Sequence, residues 1–331
     1  MTHTVSPPFA HPPGSCRLSV VVPCYNEQDA VMELHRRVST ACQGVVGASY
    51  EVVFVDDGSN DRTWERIGGL VSSGASVVGV RLSRNHGHQL ALSAGLTFAR
   101  GERVLIIDAD LQDPPELLPA MMKLMDDGAD VVYGQRVARR GESALKRAGA
   151  AVFYRLLDSL TDVRIPVDTG DFRLMSRRAL DVLLSMPEQH RFVRGMVSWI
   201  GFRQVPILYE RRERFAGVTK YPFSKMLRLA LDAVTSFSTR PLRLASMLGV
   251  FFGMCGLGGL LYTLGSWVTG HVVPGWTSAT SIMLVLGSTQ LLVLGILGEY
   301  LGRLYVESKG RPLFVVQEVL AAKRPSNDPS E

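Results

Sequence analysis

Cysteine is scarce in this chain of 331 residues: Cys16, Cys24, Cys42 and Cys255 are the only four. They have neither zinc-finger nor paired spacing, and one lies inside an apolar segment. A disulfide framework is therefore not expected, and the thiols read as reduced and facing the cytosol. The glycine-rich phosphate loops are missing as well. Without GxGxxG or GxxxxGK[ST], hydride transfer on a dinucleotide and P-loop chemistry lose their signatures. The net charge of +5 is concentrated in Arg136 to Arg147, in Arg203 to Lys225 and around two apolar segments near the end rather than along a nucleic-acid groove, so no nucleic-acid partner is expected. The first fifteen residues, MTHTVSPPFAHPPGS, lack the apolar core of a signal peptide. Rich in proline, residues 1–16 are expected to be disordered, as is the closing RPSNDPSE.

What is present centres on Val104 to Pro115, VLIIDADLQDPP. Four apolar residues of a buried strand run into Asp108, Asp110, Gln112 and Asp113, and two prolines prevent the strand from continuing. A continuous apolar run suits a central strand of a parallel sheet, whose carboxyl end is where α/β proteins hold ligands. Asp108 and Asp110 could chelate a hard divalent ion through oxygen, and such an ion could hold a diphosphate. Asp113, just before the prolines, reads instead as the cap of the following helix.

The same alternation runs through the first two-thirds of the chain. Strands are expected at Arg17 to Val22, Tyr50 to Val55, Ser76 to Leu82, from Val104, and at Ala129 to Tyr133. Helical spacing fills Glu27 to Cys42 and Gln89 to Ala99, and an amphipathic helix is expected between Gly141 and Leu160. Such alternation predicts right-handed crossovers and an open, mostly parallel α/β sheet. The second strand ends in Asp56, Asp57, Gly58 and Ser59. These acids could bind ribose hydroxyls or simply form a turn. Further on, FRLM reads as strand-like, HRFVRG as a helix start, and VSWIGFRQVPILYERRER as a strand with a basic end.

The motifs VVVPCYNE, VVFVDDGSNDRT, LSRNHGHQLALSAGL, DADLQDPPE, GQR and TGDFRLMSR together resemble the family 2 inverting glycosyltransferases of the GT-A fold. The likeness is to the polyprenyl-phosphate hexosyltransferase branch, related to dolichol-phosphate mannose synthase, and runs from about Leu18 to Leu320. It implies a nucleotide-sugar site at Pro23, Tyr25, Glu27, Asp56, Asp57, Asp108, Asp110 and Gln112. It further implies Mg²⁺ or Mn²⁺ on Asp108, Asp110 and Gln112, and catalytic roles for Asp110 and Asp171. Arg136, Arg214 and Lys220 would bind the acceptor phosphate. Guanidinium suits a phosphate's paired oxygens and lysine supplies a point charge, so the residue types fit. A lipid phosphate is largely ionised at pH 7, so Asp171 could orient the acceptor rather than take a proton.

The last third changes character. Phe223 to Thr239 has an apolar face with Lys225, Arg228 and Asp232 elsewhere, and reads as a helix in the membrane interface. Leu244 to Val268 and about Ser278 to Gly298 are uncharged and long enough to span a bilayer. The connecting GHVVPGWTS has no Lys or Arg, whereas Arg240, Arg243, Arg303, Lys309 and Arg311 flank the other ends. By the positive-inside rule both termini are cytoplasmic. The expected organisation is a catalytic domain over 17–222, an interfacial region over 223–243, two spans over 244–301 and a tail over 302–331. A homo-oligomer is compatible with this plan. The function this implies is transfer of one hexose, glucose as first choice, from a UDP-sugar to polyprenyl phosphate. Other sugars, a processive polysaccharide synthase and an inactive membrane partner are the rivals. A processive synthase would usually carry QxxRW, which is absent.

Overall fold

A computed structural model describes residues 16–74, 76–137, 166, 169–210, 240–269 and 275–321. The first unit is built on β1 (Leu18–Cys24), β2 (Tyr50–Asp56), β3 (Val77–Leu82) and β4 (Arg103–Ile106), which are mutually parallel in the order β4-β1-β2-β3. Their side chains alternate between two helix-covered faces, which is why the strands read as unbroken apolar runs. Phe54, Leu105 and Ile106 are completely buried, each contributing about 1.5–3 kcal/mol of transfer energy.

The covering helices follow the apolar spacing. In α1 (Val31–Val46) the buried Val31, Leu34, Val38, Cys42 and Val46 form one stripe against the sheet. The others in this part are α2 (Thr63–Ser72), α3 (His88–Phe98) and α4 (Leu118–Asp126), the last entered through a single 3₁₀ turn at Pro115–Leu117. Helix α3 lies very close to the sheet. A Cβ on Gly95 would fall 2.4 Å from Val21 Cγ1 and 2.8 Å from Val55 Cγ2, so only glycine allows that approach.

Beyond β4 the order departs from simple alternation. The fifth strand, β5, is Val131–Arg136 and carries Gly134, Gln135 and Arg136 within it, rather than ending at Tyr133. It does not pair with β4. Strand β6 (Thr169–Ser176) lies between them, antiparallel to both, and β7 (Gln204–Tyr209) pairs in parallel with β5. The helices α5 (Arg177–Ser185) and α6 (Val193–Ile200) separate β6 from β7, so the VSWI segment expected as strand is helical. Ser176 caps α5 by accepting from the Ala179 N–H.

The expected tail at 302–331 is also corrected. Its first residues continue a helix to Ser308, and β8 (Val316–Ala321) returns to pair antiparallel with β3 as the eighth strand. The sheet order is β7-β5-β6-β4-β1-β2-β3-β8. The first unit therefore includes a segment far outside 17–222. Val316, Val319 and Leu320 do not alternate with polar neighbours, so nothing in VQEVLA signals a strand from sequence.

The second unit contains α7 (Arg240–Val268) and α8 (Trp276–Ser308). Arg240–Gly259 and Val285–Ser308 are long and apolar enough to cross a membrane, each with a mean hydropathy of 1.4. Almost none of either window is buried, with Met247, Phe251, Met254, Leu291 and Leu294 exposed. A helix inside a soluble core would cover such side chains. Residues 240–243, assigned above to the interfacial region, are the first turn of α7. The helices expected at 141–160 and 223–239 lie outside the described residues.

Candidate active site

The carboxyl ends of β1, β2 and β4 meet at one edge, and hydrogen bonds lock their loops together. After β1, Asn26 has φ 56 and donates its N–H to Ser59 Oγ at 2.9 Å; its own Oδ1 accepts from Asn60 N at 2.9 Å. The Glu27 N–H goes to Thr63 Oγ1 (2.9 Å) and the Gln28 N–H to Asp61 Oδ2 (3.2 Å). Among the residues expected to bind nucleotide, Pro23 is buried within β1, and Tyr25 and Glu27 occupy the loop that follows.

The two acids after β2 have different surroundings. Asp56 is fully buried, accepts from Ser59 N at 3.2 Å, and has Arg81 Nε 3.5 Å from its other oxygen. Asp57 accepts the N–H groups of His86 (2.7 Å) and Gly87 (2.9 Å), fixing the loop that leads into α3. That loop passes so close that a Cβ on Gly58, φ 68, would lie 2.7 Å from the Arg84 carbonyl carbon. Burial raises the Asp57 carboxyl, outweighing those two bonds.

After β4 the chain turns sharply. Leu111 takes φ 61, and Asp110 Oδ1 accepts the Gln112 N–H at 3.1 Å, an Asx-type turn that keeps both residues at the strand end. Asp108 Oδ1 is buried without a hydrogen-bond donor, with His88 Nε2 3.5 Å away. Burial pushes this carboxyl up to about 6 against the pull of His88, and Asp171, Asp113 and Asp110 push the same way.

Asp171 is placed by β6 and is the opposite case. Arg194 Nε donates to it at 2.9 Å, Gln89 Nε2 at 3.0 Å and His88 Nε2 at 3.1 Å. Burial alone would raise its pKa, but Arg194 and His88 hold the carboxyl well below the usual range. The charges of Asp171 and Asp108 in turn raise His88 against the desolvation that its crowded side imposes. Arg173, enclosed beside Asp171, is lowered to about 10 by burial.

Asp113 does not cap a helix. It is fully buried and accepts from Tyr209 Oη at 2.5 Å, while the Tyr209 oxygen accepts from Arg136 Nε at 3.3 Å. Arg136 thus stands at the same edge, its guanidinium against Gly170: a Cβ there would lie 2.7 Å from Arg136 Nη2. Arg214 and Lys220 lie outside the described residues. Sequence reasoning missed His88, Gln89, Arg194, Arg173 and Tyr209. The only trace of two of them was a position in a first helical turn, in NHGHQ and HRFVRG.

His88, Asp108 and Asp171 bring three ligand atoms within 4.8 Å of one another. This triangle suits a cation poorly, because Arg194 and Arg173 already supply positive charge at Asp171 and the imidazole fills the gap between the carboxylates. The loop Asp108–Gln112 fits better: it offers hard oxygen ligands, and one of them is a buried oxygen lacking a donor.

A sequence profile described as glycosyl transferase family 2 matches residues 19–184, which hold every one of these acids. The chain belongs to glycosyl transferase family 2. A second profile, the GtrB C-terminal hairpin, matches residues 240–304 of this family 2 chain, covering α7 and most of α8. An uncharacterized glycosyltransferase of Bacillus subtilis, YkcC, is 45% identical over 91% of this chain and 93% of its own length. A bactoprenol glucosyl transferase of Shigella phage SfV is 38% identical over 91% of this chain and 98% of its own. Among solved structures, glucosyl-3-phosphoglycerate synthase from Mycobacterium tuberculosis, in complex with Mn²⁺, UDP-glucose and phosphoglyceric acid, aligns with a TM-score of 0.44. Its identity is 20%, over 66% of this chain and 78% of that one. The fold is the α/β GT-A type with a mostly parallel sheet.

Proposed function

We propose that this family 2 transferase moves one glucose from UDP-glucose to a polyprenyl phosphate, with inversion, giving a β-linked polyprenyl-phosphate glucose and UDP. The observation that carries this reading is a pairing within one chain. Acidic strand ends and two long apolar helices occur together, and a relative that matches 91% of this chain is named a bactoprenol glucosyl transferase. An acceptor with a long hydrocarbon chain stays in the bilayer, since each buried methylene is worth about 0.8 kcal/mol, so an enzyme acting on its phosphate has reason to be anchored there.

The residues divide the work by chemistry. Asp108, Asp110 and Gln112 would hold Mg²⁺ or Mn²⁺, which when bound neutralises charge growing on the departing diphosphate. Tyr25, Glu27 and Asp56 sit where a nucleoside would lie, while Pro23 and Asp57 shape the loops around it. Arg136 stands ready for an acceptor phosphate, with Arg214 and Lys220 assigned there by resemblance. The basic residues flanking the two helices favour a cytoplasmic catalytic unit and termini, the compartment of nucleotide sugars.

The test uses purified full-length protein with polyprenyl phosphate, a panel of UDP- and GDP-sugars, and Mn²⁺, Mg²⁺ or EDTA. Mass analysis should find a hexosyl lipid phosphate with UDP-glucose and a divalent ion, and none with EDTA. Transfer only from another nucleotide sugar would refute the glucose assignment, and undiminished transfer in EDTA would refute the metal.

A further inference from the structure

The Asp171 carboxylate is 1% exposed and is held by side chains on both oxygens. Oδ2 accepts from Gln89 Nε2 (3.0 Å), His88 Nε2 (3.1 Å) and Arg194 Nη2 (3.3 Å); Oδ1 accepts from Arg194 Nε (2.9 Å) and faces Arg173 Nη2 at 3.9 Å. Three donors crowd Oδ2, and Oδ1 is closed in behind Arg194 and Arg173, so a carboxylate this deeply buried presents no open site toward a substrate. A general base needs such a site within hydrogen-bond reach of the proton it takes.

The transfer itself supplies no proton to take. Above its second pKa, about 6, a phosphate monoester is a dianion. One of its oxygens bonds to the anomeric carbon, the bond from that carbon to the β-phosphate oxygen of UDP breaks, and this oxygen leaves with the electron pair. A dianionic acceptor and a doubly charged donor become a singly charged phosphodiester and a triply charged UDP, and the charges balance.

Resting on the function proposed above, we propose that Asp171 is a positioning residue rather than the base, and that the groups it aims, His88 and Arg194, face the acceptor phosphate. Their side chains are 44% and 32% exposed, whereas the carboxylate behind them is hidden. Arg194 Nη1 also donates to the Thr169 carbonyl at 3.1 Å, and Arg136 lies against Gly170, so two guanidinium groups flank adjacent residues of β6. Two such groups beside one another form the natural cradle of a phosphate, and the buried negative charge lets them approach. Gln89 completes the assembly: it donates to Asp171 and accepts from Val193 N at 3.0 Å, tying the start of α3 to that of α6.

The experiment measures kcat/KM for the acceptor against pH, using full-length protein, UDP-glucose and two acceptors: polyprenyl phosphate and its more acidic difluoromethylphosphonate analogue. The acid limb should move with the acceptor's own second pKa. His88→Gln and Arg194→Gln should each raise the acceptor KM about 10- to 100-fold, as loss of a charge-assisted contact does, with the UDP-glucose KM changed less than about threefold. Adding His88→Gln to Asp171→Asn should cost little beyond Asp171→Asn alone. A limb that stays fixed when the acceptor is changed, or an unaltered acceptor KM in both single variants, would overturn the inference. The acceptor comparison and the two single variants decide even if Asp171→Asn fails to fold. Absence of glycosylated lipid with either acceptor would instead refute the proposed function.

Discussion

The loop after β4 and the start of β6 bring aspartates to the same space, and the two are treated in opposite ways. Asp108 has a buried oxygen without a donor, whereas Asp171 is surrounded by arginine, histidine and glutamine. The difference teaches that identical residue types at one sheet edge can be an unfilled ligand and a finished structural joint. The under-satisfied buried acceptor of Asp108 suits the cation proposed above. A saturated one organises its neighbours.

Four measurements can break or sharpen this contrast. The largest effect is expected from Asp171→Asn, which strands Arg173 and Arg194 without their counter-charge. Thermal or denaturant unfolding of the sheet unit should show a loss of about 3–5 kcal/mol. Asp108→Asn should leave the metal-free protein at least as stable as the parent but lower kcat by about 10²- to 10³-fold, measured as labelled glucose transferred per second. A similar stability loss in both variants would remove the contrast.

The third measurement is the pH dependence of stability in EDTA. The Asp108 carboxyl is raised to about 6 and His88 is also raised. A raised acid binds its proton more tightly in the native state, so stability grows as pH falls through 6 toward the unfolded value near 4. The raised histidine acts in the same direction: its contribution is complete below about 6.5 and is lost as pH rises through the folded value. Acidification from pH 7 to 5 should therefore stabilise the parent by about 1–2 kcal/mol and Asp108→Asn by less. A parent destabilised over that range would contradict the placement of both groups. The smallest effect is expected from Tyr209→Phe, which removes the hydroxyl that donates to Asp113 and accepts from Arg136 and should cost about 1 kcal/mol in denaturant unfolding.

Much of this was legible in the sequence because parallel strands buried on both faces leave an unmistakable mark. RLSVVV, YEVVFV and VLII announced themselves, and the polar residues beyond them had to lie at one edge. Long-range partners left no such mark. His88 and Asp171 are 83 positions apart, and Asp171 and Arg194 are 23 apart, with no periodicity linking them. Asp113 was misread because an aspartate before two prolines has the local chemistry of a helix cap, and only the fold places Tyr209 above it. Strand β8 was read as tail because pairing to β3, rather than intrinsic pattern, makes it a strand.

The most direct test of the contrast is Mn²⁺ binding, followed by electron paramagnetic resonance, to parent, Asp108→Asn and Asp171→Asn protein in the presence of UDP. The account predicts that the Asp108 variant loses the bound ion while the folded Asp171 variant keeps it. An ion retained without Asp108 and lost without Asp171 would contradict it.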